Sequence, residues 1–495
     1  MDHEEELIKI NLEINHNKDD FKELKGFKAY LFEALYLIEQ NHGLYKFWDI
    51  LFTIIEFIQL MAFSMDKTFD ESWGNHWVKT IGNFFRFFQL IFLWKKTSFF
   101  IITFIITCIY LILLVSFFSY VIAKSFKYTP IKIIKILVLI LQINIFLHIP
   151  ILKTLFSSFS CKNNFLEVYP EIKYKSNMHI ILIVISAILI IIYQILIVIF
   201  HSTLYGFGVD MNKFKSGYTP STEILLDIIK LVLIIFYQFI SHQLVLSIIT
   251  LILSIILLIH FLFEIPYSNG FTIKLYLILY AFFFWSCILC IISIFLKNSN
   301  FRSGIVLLTL GYPLILAFTF LTDLEFYADQ FFPFDLSNNK NIIKINYLLK
   351  LEESFDQIVK TKEFKLLYCY IGDYETTCIE KDCYLKQFLN LPLKKENFEN
   401  LKLLLLYHVE SIYKKEIFKN PKDIKLRIAY ILFLFEKLNR KIKAKNELIF
   451  LTKFELNLEY SFLIYKLKKF FENNMNKELN PNEINSKNFA NKLNS

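Results

Sequence analysis

The chain has 495 residues, 55% of them hydrophobic and 20% charged, with a formal net charge of +9 at pH 7 and a mean hydropathy of +0.45. That apolar excess argues against an ordinary water-soluble globule and points to a membrane. The lysines beside the apolar runs fit membrane topology rather than nucleic-acid binding, and the abundance of Phe, Ile, Lys and Asn fits codon bias in an AT-rich genome.

Residues 1–46 read as a polar N-terminal arm. They lack the basic-then-apolar pattern of a cleavable signal, so the first span would act as the targeting signal. Within the arm, FKAYLFEALYLIEQ (Phe27–Gln40) has helical apolar spacing and suits a membrane surface or the bundle's own flank. Residues 47–322 read as an all-α transmembrane helix bundle of about eight spans, each near the ~20 residues a bilayer requires. The expected spans are 47–64, 98–123, 136–152, 178–200, 224–240, 243–263, 275–296 and 303–322. The first is the weakest, because it holds Asp49 and Glu56. Pro150 is expected to break or kink the third near its end. Between the first two spans, IGNFFRFFQLIFLW (81–94) is short, aromatic and interrupted by Arg86, which suits an interfacial segment. An even count places both termini on one side, and the lysine-rich tail makes that side cytoplasmic.

After Thr322 the charges return. Residues 323–394 read as an irregular cysteine-containing linker, 395–473 as a helical module and 474–495 as a disordered tail. In NPKDIKLRIAYILFLFEKL (420–438), eight consecutive apolar residues cover only ~12 Å of helix, less than half a bilayer core. With Arg427 ahead of them and Glu436, Lys437 and Arg440 behind, they are expected to form a soluble helix, with Asp423 near its start. Neighbouring helices are expected at 401–418, 441–452 and 458–472. Stacked as antiparallel hairpins these bury one another's apolar faces, which is the physics of tetratricopeptide-like units. The module would dock a protein partner.

Four stretches carry a resemblance to a known family. They are PKDIKLRIAYILFLFEKLNRKIKAKNEL (421–448) continuing into FLIYKLKKFFE (462–472), CYIGDYETTCIEKDCYLK (369–386), IPILKTLFSSFSC (149–161) and EIPYSNGFTIKL (264–275). In order and spacing the chain resembles the tiny macrocysts protein B-like multi-pass membrane proteins of amoebae and ciliates. The resemblance implies a cell-surface or signalling-related role, with the plasma membrane favoured. Many members are far longer and carry PAS-type sensory segments downstream, so the chain is expected to be a short or truncated member.

No catalytic signature occurs: there is no phosphate loop, HExxH, GxSxG or kinase set, and paired acids and histidines do not cluster at one membrane depth. The reading is of a non-enzymatic protein without a cofactor. Cys369, Cys378 and Cys383 lie in one soluble stretch, with a four-residue spacing between the last two that is compatible with zinc. They lack an obvious fourth ligand, and reduced structural thiols or a local disulfide fit better than zinc. The family pattern has a histidine at Tyr374 and a glycine at Cys369. Cys287 and Cys290 form a CxxC inside a span and read as packing residues.

Ionisable groups inside spans are functional candidates because they are costly there. Glu56 is the clearest. Asp227 and Lys230, three residues apart, can pair with each other. His148 and His260 sit near span ends, where they can reach interfacial water. Gln142, Asn144, Gln194 and Gln238 can bond between helices. Two functional classes follow. One is a signalling or scaffold protein with a docking module, able to form oligomers. The alternative to that preferred reading is an ion channel or transporter whose path is lined by Glu56, Asn144, Lys230 and His260.

Overall fold

The computed structural model describes residues 26–40, 46–73, 76–89, 97–125, 131–162, 165–166, 172–204, 221–264, 270–296, 311, 315, 398–454 and 458–479. These residues are almost all helical, and among them are fourteen α-helices. The chain divides into two units. One covers 25–321, and the other combines 1–24 with 322–495.

The first unit contains α1 (Phe27–Gln40), α2 (Lys46–Ser64), α3 (Asp70–Trp73), α4 (His76–Phe88), α5 (Thr97–Lys124), α6 (Ile131–Phe156), α7 (Asn177–Leu204), α8 (Ser221–Phe239), α9 (Gln243–Glu264) and α10 (Gly270–Phe295). Five helices are long and apolar enough to cross a membrane: α5, α6, α7, α9 and α10. They correspond to the second, third, fourth, sixth and seventh expected spans, and the chain is an integral membrane protein on this ground. Rows of isoleucines on α5 and α7, such as Ile102, Ile106, Ile109, Ile188, Ile191 and Ile195, are about half exposed. In water such surfaces would aggregate, whereas in lipid they are the solvated face.

Two others of the eight expected spans, the first and the fifth, correspond to α2 and α8 and are not among these five. α2 is 19 residues long and carries the buried Glu56. α8 is 19 residues long but carries Glu223, Asp227 and Lys230, all buried. Both helices turn ionisable groups inward, into protein: Glu56 on α2, and Glu223, Asp227 and Lys230 on α8. The eighth expected span lies outside the described residues except for Gly311 and Ile315. A Cβ on Gly311 would sit 2.1 Å from Nε1 of Trp285, so the indole packs directly on that backbone.

Side-chain contacts fix the helix directions. Thr53 meets Tyr276 and Ser64 meets Ser286, so α2 runs parallel to α10. Gln59 and Phe63 of α2 meet Phe146 and Lys153 of α6 in the same order. Glu56 and Phe63 meet Lys230 and Tyr237 of α8. α7 runs antiparallel to α6, with Ser186 beside Ser158 and Gln194 beside His148.

Pro150 does not break α6, which continues to Phe156. A proline lacks the N–H that would bond the carbonyl four residues back, here Phe146. The Gln59 side-chain amide fills that role, donating to the Phe146 carbonyl at 2.8 Å and, with its other N–H, to the Phe88 carbonyl at 2.9 Å. The 81–94 segment is likewise corrected. α4 presents Phe84 and Phe87 outward, but Arg86 is buried and paired with Asp70 at 3.1 Å. Gln89, just past the end of α4, is wholly buried and donates to the Gln59 carbonyl at 2.7 Å. Residues 81–89 are therefore packed into the bundle and are not purely interfacial; 90–94 lie outside the described residues.

In the second unit the described helices are α11 (Phe398–Lys419), α12 (Ile424–Glu436), α13 (Lys441–Leu451) and α14 (Leu458–Leu479). Asp423 caps α12 by accepting from Leu426 N–H at 3.1 Å. At the far end Asn439 adopts φ +52°, and Arg440 N–H reaches back to the Leu434 carbonyl. The apolar octet of α12 is solvated by protein. Ile428 through Leu434 are buried, and Phe435 packs edge-on to Phe471 at 4.4 Å between ring centroids. α12 is thus surrounded on several sides, with Tyr413 of α11 against Tyr430 and Phe433, and Arg427 bonded to Glu447 of α13 at 2.9 Å. α14 runs six residues into the stretch expected to be disordered, and the rest of that tail lies outside the described residues, as does the 323–394 linker.

Candidate functional site: a buried polar file

α8 places Glu223, Asp227 and Lys230 at i, i+4 and i+7, hence on one face, and that face is turned inward. α2 presents Thr53, Glu56 and Gln59 at intervals of three, also inward and each at most 2% exposed. Where the two faces meet, Lys230 Nζ bonds both Glu56 Oε1 and, at 3.2 Å, Asp227 Oδ1. Asp227 is further enclosed by two histidines. His148 Nδ1 of α6 lies 3.5 Å from Oδ1, and His201 Nδ1 of α7 contacts Oδ2. His148 Nε2 in turn meets Gln194 at 3.3 Å.

The network extends in both directions. Toward the start of α8, Glu223 accepts from the Tyr276 hydroxyl at 3.1 Å, and that hydroxyl lies 3.5 Å from Thr53. Toward the other end, Gln59 follows Glu56 by one turn and is bonded to Gln89. Gln89 Oε1 accepts from Lys153 Nζ at 2.6 Å. Beyond it stand Asp66, Arg86 and Asp70, with Asp66 and Asp70 partly exposed. From Glu223 to Lys230 is ~10 Å of helix rise and from Glu56 to Ser64 ~12 Å, together ~22 Å of a ~30 Å hydrocarbon core.

Its electrostatics favour cations. Glu56, Asp227 and Glu223 are three buried acids gathered around the single Lys230. Burying such groups costs several kcal/mol each unless paired, so a packing role alone would be served by apolar residues. Glu56 Oε2 is buried and has no hydrogen-bond donor among the described residues.

Of the residues singled out from sequence, Glu56 and Lys230 are brought into contact. Asn144 lies one turn before His148 and accepts from Tyr193 at 2.9 Å and from Tyr110 at 3.3 Å, beside the file. His260 is half-buried on α9, a helix that contributes to none of these ion pairs. His148 is corrected from an interfacial to a buried position, 2% exposed. Asp227 and Lys230 do pair, but not with each other alone. Cys369, Cys378 and Cys383 lie outside the described residues. Among the described residues no group of three or more His, Cys, Asp or Glu could hold a metal ion. Cys287 and Cys290 are free, buried thiols, the latter packed with Phe69, Trp73 and Leu246.

Sequence reasoning missed Glu223, His201, Gln59, Gln89 and Lys153 as members of the file. The usable signals were the i, i+4, i+7 acidic–basic row on α8 and the three-residue polar stripe on α2. Cys161 lies 3.4 Å from His179 Nε2. His179 Nδ1 accepts from Lys175 N–H, so Nε2 carries the proton and faces the Ser158 carbonyl and the thiol. Burial pushes the Cys161 thiol up from its ordinary value. The pair is therefore no activated nucleophile. Comparison with protein-family models, with curated proteins and with solved structures finds no match.

Proposed function

We propose that the membrane bundle is a channel or transporter in which a monovalent cation moves along the buried polar file. The observation that carries this reading is the row of ionisable and amide side chains from Glu223 through Asp227, Lys230, Glu56, Gln59 and Gln89 to Lys153. Intramembrane ionisable groups facing a bundle interior mark ion paths. The acid excess selects cations. The protein is non-enzymatic in this reading, and its kinship with the tiny macrocysts protein B-like proteins rests on the four stretches quoted above. Eight spans with both termini cytoplasmic, in the plasma membrane, complete the proposal.

The test is flux of protons and alkali cations in vesicles carrying the full chain. Glu56→Gln should lower flux at least tenfold, while Ile188→Ala on the lipid face leaves it unchanged. Wild-type vesicles without flux, or an unaffected Glu56→Gln variant, would refute the reading.

The helical module supports a second, compatible role as a tetratricopeptide-like docking platform for a protein partner. It holds its own core in α12 yet leaves Phe418 89% and Leu458 48% exposed. A partner captured by the wild-type chain and lost from a Phe418→Asp variant would support it; equal capture by both would refute it.

A further inference from the structure

The two lysines of the file stand in opposite environments. Lys230 is clasped by two carboxylates and has no reason to release its charge. Lys153 is nearly as buried, at 8% exposure, but its partners are neutral: Gln89 Oε1 at 2.6 Å and the Phe63 ring, whose centroid lies 4.7 Å away. Among the described residues no carboxylate is within ion-pairing distance of it. The charges acting on it from the packed elements are Asp66, after α2, and Arg86, on α4, which oppose one another. Gln59, which shares Gln89 with Lys153, has its side-chain oxygen buried without a donor among the described residues. A buried ammonium held only by neutral groups carries a desolvation cost that disappears when it becomes an amine.

We infer that Lys153 is a proton-binding station of the file, and that the cation carried is the proton. The inference rests on the cation-path reading above and deepens it. In the step, one Nζ–H bond breaks, its electron pair stays on nitrogen, and the proton passes to water at the Asp66–Asp70 end. The amine's electron pair then takes a proton from a hydronium ion reaching it from the Glu56 side, whose O–H bond breaks to leave water, and the ammonium is restored. One positive charge crosses per cycle, and no oxidant or reductant is involved.

The experiment uses the full chain in vesicles containing a pH-sensitive dye, with the membrane potential clamped by potassium and valinomycin. Tracer sodium uptake is measured in parallel. Wild-type protein should move protons, and Lys153→Met should reduce that flux at least tenfold. Lys153→Arg should reduce it equally, because a guanidinium keeps the charge but does not release its proton. A merely structural ammonium would be rescued by arginine. Proton flux at the wild-type rate in Lys153→Arg overturns the inference. Wild-type vesicles that move sodium but not protons also overturn it, while leaving the cation-path reading intact. Vesicles that move neither overturn both. Even where a variant does not fold, the wild-type selectivity measurement can overturn the inference, because it decides whether the cation carried is the proton.

Discussion

Glu410 of α11 anchors the helical module, and its replacement by glutamine gives a quantitative test of how the module is held. Arg440 NH1 donates to both carboxylate oxygens, at 3.0 and 2.9 Å, Lys443 donates at 2.8 Å and Lys414 lies at 3.1 Å. The Tyr430 hydroxyl of α12 adds a contact at 3.3 Å. The carboxylate is buried, but the three cations are 38–57% exposed. Each such pair is therefore worth only ~0.5 kcal/mol after screening, and with the Tyr430 bond the loss on Glu410→Gln comes to about 2 kcal/mol. That corresponds to about 30-fold faster hydrogen exchange in α12 under conditions where local opening limits exchange. Burial pushes the Glu410 carboxyl up, but hydrogen bonds from Lys443 and Lys414 outweigh it and hold it below its ordinary value. A depressed carboxyl contributes stability that is complete above the ordinary carboxylate range, ~4.3, and is lost as pH falls through the depressed folded value. Wild-type protection at Ile424–Glu436, corrected for intrinsic exchange, should therefore fall toward that of Glu410→Gln on acidification below that range. Protection in the variant within twofold of wild type at pH 7 would refute the reasoning.

Two further outcomes follow from packing. Ile431→Ala, at a wholly buried position in α12, should destabilise the module by about 2–5 kcal/mol in denaturant unfolding of the full chain, and a loss below 1 kcal/mol would show that the octet is not a protein core. Gln59→Leu strips donors from the Phe146 and Phe88 carbonyls and should cost about 2 kcal/mol or more of bundle stability in detergent. Adding Pro150→Ala restores an N–H to the Phe146 carbonyl and should recover part of that loss, and no recovery would mean that Gln59 does not compensate for the proline.

Much of the architecture was legible because solvent preference is written locally. The apolar runs of α5, α6, α7, α9 and α10 announced themselves, and the eight-residue apolar stretch of α12 was too short to span. The Asp227–Lys230 spacing gave one ion pair, and Glu56 stood out in a weak span. What was not legible depends on the register between distant helices. Glu56 and Lys230 are 174 residues apart, and nothing in either segment says that α2 runs beside α8. Reading Pro150 as a break ended the third span before Lys153 and left that lysine outside the membrane. Its true position required knowing that Gln59 of another helix replaces the missing proline N–H. His201 lies one residue past the expected fourth span, and only the antiparallel packing of α7 on α8 turns it onto Asp227.

The claim underlying the polar file is that Glu56 and Lys230 meet inside the bundle, and a double-mutant cycle of Glu56→Gln and Lys230→Met tests it most directly. Unfolding free energies of the full chain in detergent should fall by about 3–5 kcal/mol in each single variant, since each strands a buried charge. The double variant should fall short of the sum by about 1.5 kcal/mol or more. Losses that add to within about 0.5 kcal/mol would show that the two side chains do not interact, and the file would be broken at its centre.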